Sequence, residues 1–499
     1  MDASGRQTLG QGTSPSADDV PRRRATREQA RDHLLLNFTD MGEYVEAGSK
    51  VIVRGEGCEV ISDHGRRYID GLSGLFCTNL GHSYGAEVGA AATRQLETLP
   101  FTPAWYLAHP SAAELAETLV HLAAPLGMQR AFFTNSGGEA VESAWKLVRQ
   151  WHAANGEPQR TKAIARKLAY HGTSMGALSF TGLPDCRAPF EPMAVPVTFL
   201  SNTNPYRHPA AGDPEGFTRA LLEEAEEAIL FNGPDQVAML IAEPVQNSGG
   251  AFVPPPGYWA GLRALCDRYG IVLVADETIT AFGRVGEWFA SSLFDGRPDI
   301  ITFAKGVTAG HAPLGGFLMT EAMAAPFVTG GETYMHGLTY SGHPLTTAIA
   351  SSVIGIYQRE RVLDNVRALA PRFEAGLQEL RRIPLIGDVR GMGFFWALEM
   401  VKDRETKELF DSNEADWLLR SELSRHMDDL GLLCRLDDRG EPVIQLSPPL
   451  VSDAALLDRI VDIVGTAAER ASNAWSGSSA PTADPRHLPP RPNGKLGAA

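Results

Sequence analysis

Ile271-Val-Leu-Val-Ala-Asp276-Glu-Thr278 and, further along, Ile300-Ile-Thr-Phe-Ala-Lys305-Gly306 decide the reading of this chain. Each is an apolar, β-branched run with one ionisable residue at its carboxyl end, the pattern of a strand buried on both faces of a sheet. Ligands of open α/β sheets bind just outside those carboxyl ends. A carboxylate and an amine delivered there together suggest a cofactor site rather than a packing contact. Pyridoxal phosphate needs that pair, a lysine to form the Schiff base and an acid to hold the ring nitrogen protonated.

Working outward, apolar runs at 130–135, 162–169, 237–243, 271–276, 300–305 and 315–319 alternate with helical patterns at 138–152, 217–229 and 258–269. Such alternation is the signature of right-handed βαβ crossovers around a mostly parallel sheet, so the expected fold is α/β with a large domain over 86–344. Helical patterns at 344–360, 362–382, 415–430 and 453–471, with strand-like runs at 389–400 and 443–446, predict a smaller α+β domain over 345–475. The Gly-punctuated stretch 51–71 is expected to join it from the amino-terminal side, within a segment spanning 31–85. Residues 1–30 and 476–499 are rich in Gly, Ser, Asp and Pro and read as disordered tails.

Composition narrows the function. The 499 residues carry a formal charge of −15 and 43% hydrophobic content, which argues against a general nucleic-acid partner. Arg22, Arg23 and Arg24 form the basic triplet, and they fall in the leader, where a solvated tail is expected. Five cysteines without CxxC spacing fit a reduced cytoplasm rather than a disulfide framework. No apolar run reaches the roughly 20 residues that would span a bilayer. His82, His171, His336 and His343 lack helical ligand spacing, so no metal is expected. A nicotinamide dehydrogenase would need a glycine fingerprint after a strand, and none is present.

Asn135-Ser-Gly-Gly-Glu139 follows one strand and opens a helix, so free N–H groups and the positive end of the helix dipole would face an anion there. Ser136, Gly137 and Gly138 can therefore cradle a phosphate; the same pattern also fits a glycine turn capped by Ser136. Tyr170 and His171 close another strand, and an aromatic ring at that edge can stack on a flat heterocycle or be plain core. Glu243 ends its strand as Asp276 and Lys305 end theirs, so three charges gather at one rim, where isolated burial would be costly. With pyridoxal phosphate as the ligand, Asp276 stabilises the pyridinium proton, and Lys305 is the base that moves the substrate proton.

These pieces in this order resemble the class III (subgroup II) aminotransferases of the fold type I pyridoxal-phosphate enzymes, over roughly 37–471. The motifs are Asp70-Gly-Leu-Ser-Gly-Leu-Phe76, Gly81-His82, Thr134-Asn-Ser-Gly-Gly-Glu-Ala140, Tyr170-His-Gly172, Glu243-Pro-Val245, Asp276-Glu277, Phe282-Gly-Arg284, Lys305-Gly306 and His336-Gly-Leu-Thr-Tyr-Ser-Gly-His-Pro344. The resemblance implies a mostly parallel seven-stranded sheet flanked by helices and a smaller α+β domain built from both chain ends. It implies Lys305 as the Schiff-base lysine, Asp276 on the ring nitrogen, Tyr170 on the ring face, and Ser136, Gly137 and Gly138 on the phosphate. His171, Glu243 and Thr278 complete the expected cofactor set. Thr339 is expected to reach the phosphate of a neighbouring subunit, making a homodimer the minimal unit, with a tetramer as the larger option. Thr278 stands where the family usually has valine, and Ala281 replaces a common glycine.

Within the family the chain looks most like ω-amino acid and ω-amine:pyruvate aminotransferases. Arg435, placed on a short loop, resembles the movable arginine that those enzymes use for a carboxylate, or else pairs with Asp437 or Asp438. Phe76, with Trp105 or Tyr106, is expected to wall the substrate pocket. The expected activity is ping-pong transfer of an amino group from an ω-amine or ω-amino acid to pyruvate. The alternatives are 2-oxoglutarate as acceptor and a silent, cofactor-retaining scaffold.

Overall fold

The computed structural model describes residues 19–47, 50–210, 212–439 and 441–475. Three short strands come first, β1 (Ile52–Glu56), β2 (Glu59–Ser62) and β3 (Arg67–Asp70). The central strands follow as β4 (Met128–Thr134), β5 (Lys162–Arg166), β6 (Val197–Leu200), β7 (Val237–Ala242), β8 (Val272–Asp276), β9 (Ile300–Phe303) and β10 (Gly315–Thr320). The last are β11 (Ile386–Met392), β12 (Phe395–Met400), β13 (Leu432–Leu433), β14 (Arg435–Asp438) and β15 (Pro442–Leu446).

The central strands make one seven-stranded sheet in the order β4-β10-β9-β8-β7-β5-β6. From β9 through β6 every pairing is parallel, whereas β10 is antiparallel to both of its neighbours. The carboxyl ends of β4, β5, β7, β8 and β9 therefore share one edge. Every residue of β7, β8 and β9 is buried, which is why their sequences are unbroken apolar runs. Helices Gly137–Ala154, Pro214–Asn232 and Tyr258–Tyr269 cover the sheet. The first buries Ala140, Val141, Ala144, Trp145, Leu147 and Val148, one helical face, while its other face stays wet.

Strand β13 pairs in parallel with β3, so a carboxyl-terminal strand completes the amino-terminal sheet. Strands β11, β12, β15 and β14 form a further sheet. The sequence reading differs from this structure in several places. The edge strand β6 was not expected, because it is short and mostly half-covered. The run at 389–400 is two strands, folded back at Gly393 with φ +60°, where a Cβ would lie 2.6 Å from Val285 Cα. The helix at 415–430 is interrupted by a π segment, Trp417–Leu423. Arg435 sits on β14 rather than on a loop, paired in register with Gln445. Of the two segments read as tails, 1–18 and 476–499 lie outside the described residues, whereas Asp19–His33 is helix, with Arg27 paired to Asp63 at 2.7 Å. No helix among the described residues is long and apolar enough to cross a membrane.

One buried cation ties these parts together. The Arg284 guanidinium donates to Pro448 O at 2.5 Å, Phe394 O at 3.3 Å, Asn79 Oδ1 at 2.6 Å and Ser73 Oγ at 3.2 Å. Burial pushes its pKa down to about 10, which leaves it charged at neutral pH. Removing it would strand several buried acceptors, each costing about 1–3 kcal/mol. Arg284→Met is therefore expected to lower the urea midpoint by the equivalent of about 3 kcal/mol or more. Arg372→Met, which removes an exposed ion pair, should leave the midpoint nearly unchanged.

Candidate active site

The shared strand edge opens on a cavity of about 740 Å³. Of the residues expected at the site, Ser136, Gly137, Gly138, Tyr170, His171, Glu243, Asp276, Thr278 and Lys305 line it. Asp276 ends β8 opposite Thr302 of β9 and is 4% exposed. Its Oδ2 accepts from His171 Nδ1 at 2.7 Å. Its Oδ1 accepts from Thr278 N at 3.1 Å, Thr278 Oγ1 at 2.6 Å and Thr302 Oγ1 at 2.9 Å. Burial alone would push this carboxyl up, but those hydrogen bonds and His171 outweigh it and hold its pKa below the ordinary aspartate value. Asp276 is thus an anion at the floor of the cavity.

Lys305 begins two residues after β9 ends, with φ +46°, a left-handed conformation that a lysine holds only where its surroundings impose it. Its side chain is open to the cavity it lines, yet the protein packed around it lowers the amine pKa from the usual lysine value. Asp276, Glu243 and Cys77 pull in the opposite direction. Lys305 Nζ also stands 5.6 Å from the centre of the Phe76 ring. Glu243, just past β7, accepts from Tyr170 N at 3.3 Å and Asn247 N at 2.8 Å. Burial, followed by the nearby Asp276, raises its pKa, with His171 acting against them. Glu243 therefore anchors the loop that carries Tyr170.

The third wall is the start of helix Gly137–Ala154. Ser136 caps it, Oγ accepting from Glu139 N at 3.2 Å, and the first-turn N–H groups have no partner inside the helix. The glycines here are steric necessities: a Cβ on Gly137 would fall 2.8 Å from Thr278 Cγ2, and one on Gly172, at φ +120°, would fall 2.7 Å from Gly138 Cα. The resulting concavity joins backbone donors to the positive end of a helix dipole, a receptor for a phosphate.

Other expected residues stand apart. Phe76 is buried against Phe395 beside Lys305. Arg435 lies close by but is turned toward Asp437, 3.2 Å away. Trp105, Tyr106 and Thr339 are exposed and do not line this cavity within one chain. Sequence reasoning missed the loop Thr308, Gly310, His311, Ala312, Pro313 and Leu314, which closes one side. Its Gly and Pro between two strands were the available signal. It also missed Arg439, which donates to Asp437 Oδ1 at 3.1 Å.

Comparison with known proteins agrees with this geometry. Residues 44–467 match the family model described as aminotransferase class-III. A probable aminotransferase of Mycobacterium tuberculosis is 44% identical over 432 residues, 87% of this chain and 92% of its own. The putrescine–pyruvate aminotransferase of Pseudomonas aeruginosa is 37% identical over 87% of this chain and 93% of its own. The mitochondrial gamma-aminobutyrate transaminase 1 of Solanum lycopersicum is 34% identical over 87% and 84%. Among solved structures, an (S)-enantioselective omega-transaminase from Thermomicrobium roseum superposes with a TM-score of 0.85 at 36% identity, covering 90% of this chain and 98% of that one.

The glycine contacts generate a test. Gly172→Ala forces a left-handed residue to carry a Cβ into the helix start, so stability should fall by about 2 kcal/mol. Inorganic phosphate, titrated calorimetrically into the cofactor-free protein, should bind at least about tenfold more weakly, a difference of about 1.4 kcal/mol. Unchanged stability and phosphate affinity would contradict the close approach.

Proposed function

The chain belongs to the class III aminotransferases, enzymes of pyridoxal 5′-phosphate, and on that premise we propose that it transfers an amino group from an ω-amine or ω-amino acid to pyruvate. The observation that carries the reading is the pairing, across one cavity, of an anionic Asp276 with Lys305, whose amine pKa burial lowers from the usual lysine value. Both halves of transamination chemistry are thereby present. The residues also fit the cofactor: glycine-walled space at a helix start for its phosphate, and an acid and an amine to meet the ring.

Bound there, pyridoxal phosphate supplies an electron sink for the charge left when the substrate carbon loses its proton. Gly137 N–H, Gly138 N–H and the Ser136 hydroxyl would hold the phosphate. Tyr170 and Thr278, which both line the cavity, would pack against the ring. Asp276 Oδ2, aligned by His171, would keep a proton on the ring nitrogen. Lys305 Nζ would be the base that takes up and returns the proton of the donor carbon, and its pKa, lowered by burial, moves toward the basic form.

Arg435 sets the substrate class. Its guanidinium leans on Asp437, which also receives Arg439 at 3.0 Å. When Arg435 turns toward the carboxylate of pyruvate or of an ω-amino acid, Arg439 stays behind. Asp437, 1% exposed, is then never a buried and uncompensated charge. With an uncharged amine, Arg435 remains on Asp437 and leaves the pocket apolar, with Phe76 as one wall. The likeness to a putrescine–pyruvate aminotransferase supports pyruvate as the acceptor.

The exposed apolar side chains Phe101, Trp105, Tyr106, Leu107, Met335 and Tyr340 are gathered around the 336–344 loop, Trp105 lying against Gly337. Such a patch marks an interface. It supports a homodimer in which Thr339 of each subunit reaches the other's phosphate site and Trp105 and Tyr106 help close the pocket. The five cysteines are all free, which fits a reducing cytoplasm.

The test is an amine panel with the holoenzyme, offering pyruvate or 2-oxoglutarate. Alanine should form from β-alanine, putrescine or 1-phenylethylamine, and Lys305→Ala should form none; faster production of glutamate would overturn the choice of pyruvate. Arg435→Ala should reduce kcat/KM for pyruvate about 100-fold, the scale of a lost charge-assisted pair. The same change should alter kcat/KM for 1-phenylethylamine less than about threefold, since no charge is lost there. Equal losses would reject the switching role.

A further inference from the structure

Thr278 does more than fill space beside the ring. An ionised carboxylate is acceptor-only, so the 2.6 Å contact is the Thr278 hydroxyl donating to Asp276 Oδ1. The same oxygen takes Thr278 N and Thr302 Oγ1. Three donors saturate it. Oδ2 accepts from the His171 ring and keeps lone-pair capacity for one further donor. The Thr278 methyl is wedged against the helix start, where a Cβ on Gly137 would sit 2.8 Å away. The side chain is thus clamped with its hydroxyl on Asp276.

The surroundings explain why an extra donor matters. Burial works against the ionisation of Asp276 and His171 favours it, while the neighbouring Glu243, just past β7, has its own pKa raised by burial and then by Asp276. A hydrogen bond to the charged form of an acid stabilises that form. If the acid shares a proton with a bound base, the same bond pushes the proton onto the base. A valine here would occupy the same volume and supply no donor.

We propose that Thr278 is a positioning residue that, acting through Asp276, turns Oδ2 to the ring nitrogen of the cofactor and keeps the shared proton on that nitrogen. This rests on the reading of Asp276 given above. The variant Thr278→Val removes the hydroxyl alone, and Thr278→Ser restores it without the methyl.

The experiment binds pyridoxal phosphate labelled with ¹⁵N in its ring to wild type, Thr278→Val, Thr278→Ser and Asp276→Asn, and reads the ring-nitrogen chemical shift. In wild type and Thr278→Ser the nitrogen should read as protonated. In Thr278→Val the proton-sharing constant should move toward the acid by about tenfold, which is about one pH unit, giving a shift displaced toward unprotonated pyridine. An identical signal in wild type and Thr278→Val, with Asp276→Asn displaced, would overturn this inference alone. Equal displacement in Thr278→Ser and Thr278→Val would overturn it too, since the methyl would then be the active part. An unchanged signal in Asp276→Asn would remove the Asp276 reading and this inference together.

Discussion

A carboxylate kept ionised at the end of a fully buried strand is the constraint on which the rest of the structure depends. Burial pushes Asp276 toward its neutral form, and a neutral acid could not hold a proton on a ring nitrogen. Four hydrogen bonds reverse that tendency, and they come from three different segments: the loop after β5, strand β9 and the turn after β8. Only a parallel sheet in register brings those segments to one point. The register that sets Asp276 beside Thr302 is therefore as much part of the site as the acid itself.

Much of the family pattern maintains this edge rather than doing chemistry. Glu277, next to Asp276, is turned the other way and accepts from Ala290 N at 2.6 Å and Ser291 N at 2.8 Å, fixing the loop after β8. Asp70 takes Gly74 N at 2.8 Å and Thr78 Oγ1 at 3.0 Å, shaping the turn that sets Phe76 beside Lys305. Arg284 joins that turn to the residue preceding β12 and to the segment after β15. The walls of the cavity come from different parts of the chain, and these buried polar ties hold them in one geometry.

What the sequence disclosed follows from where each element lies. Strands β7, β8 and β9 are buried on both faces and were legible as apolar runs, and with them Asp276 and Lys305. The helix start at Gly137 was legible because glycine and a capping serine have few other uses after a strand. Strand β6, at the edge, carries no such imprint. Arg-Leu-Asp-Asp at 435–438 looks like a loop because three of its residues are charged. It is a strand because Leu436 alternates with them against β15 and Asp437 is neutralised from both sides. The loop 308–314 has no ionisable residue but His311 and stayed silent, though it closes the cavity. Thr339, Trp105 and Tyr106 are exposed and lie off the cavity, and periodicity carries no signal for such positions.

The most direct measurement is a crystal structure of the holoenzyme. The ring nitrogen should lie about 2.7–3.0 Å from Asp276 Oδ2, Lys305 Nζ should be bonded to the aldehyde carbon, and the phosphate should rest on the start of helix Gly137–Ala154. A ring nitrogen directed at Glu243 or at solvent, or a covalent bond to any other lysine, would contradict it.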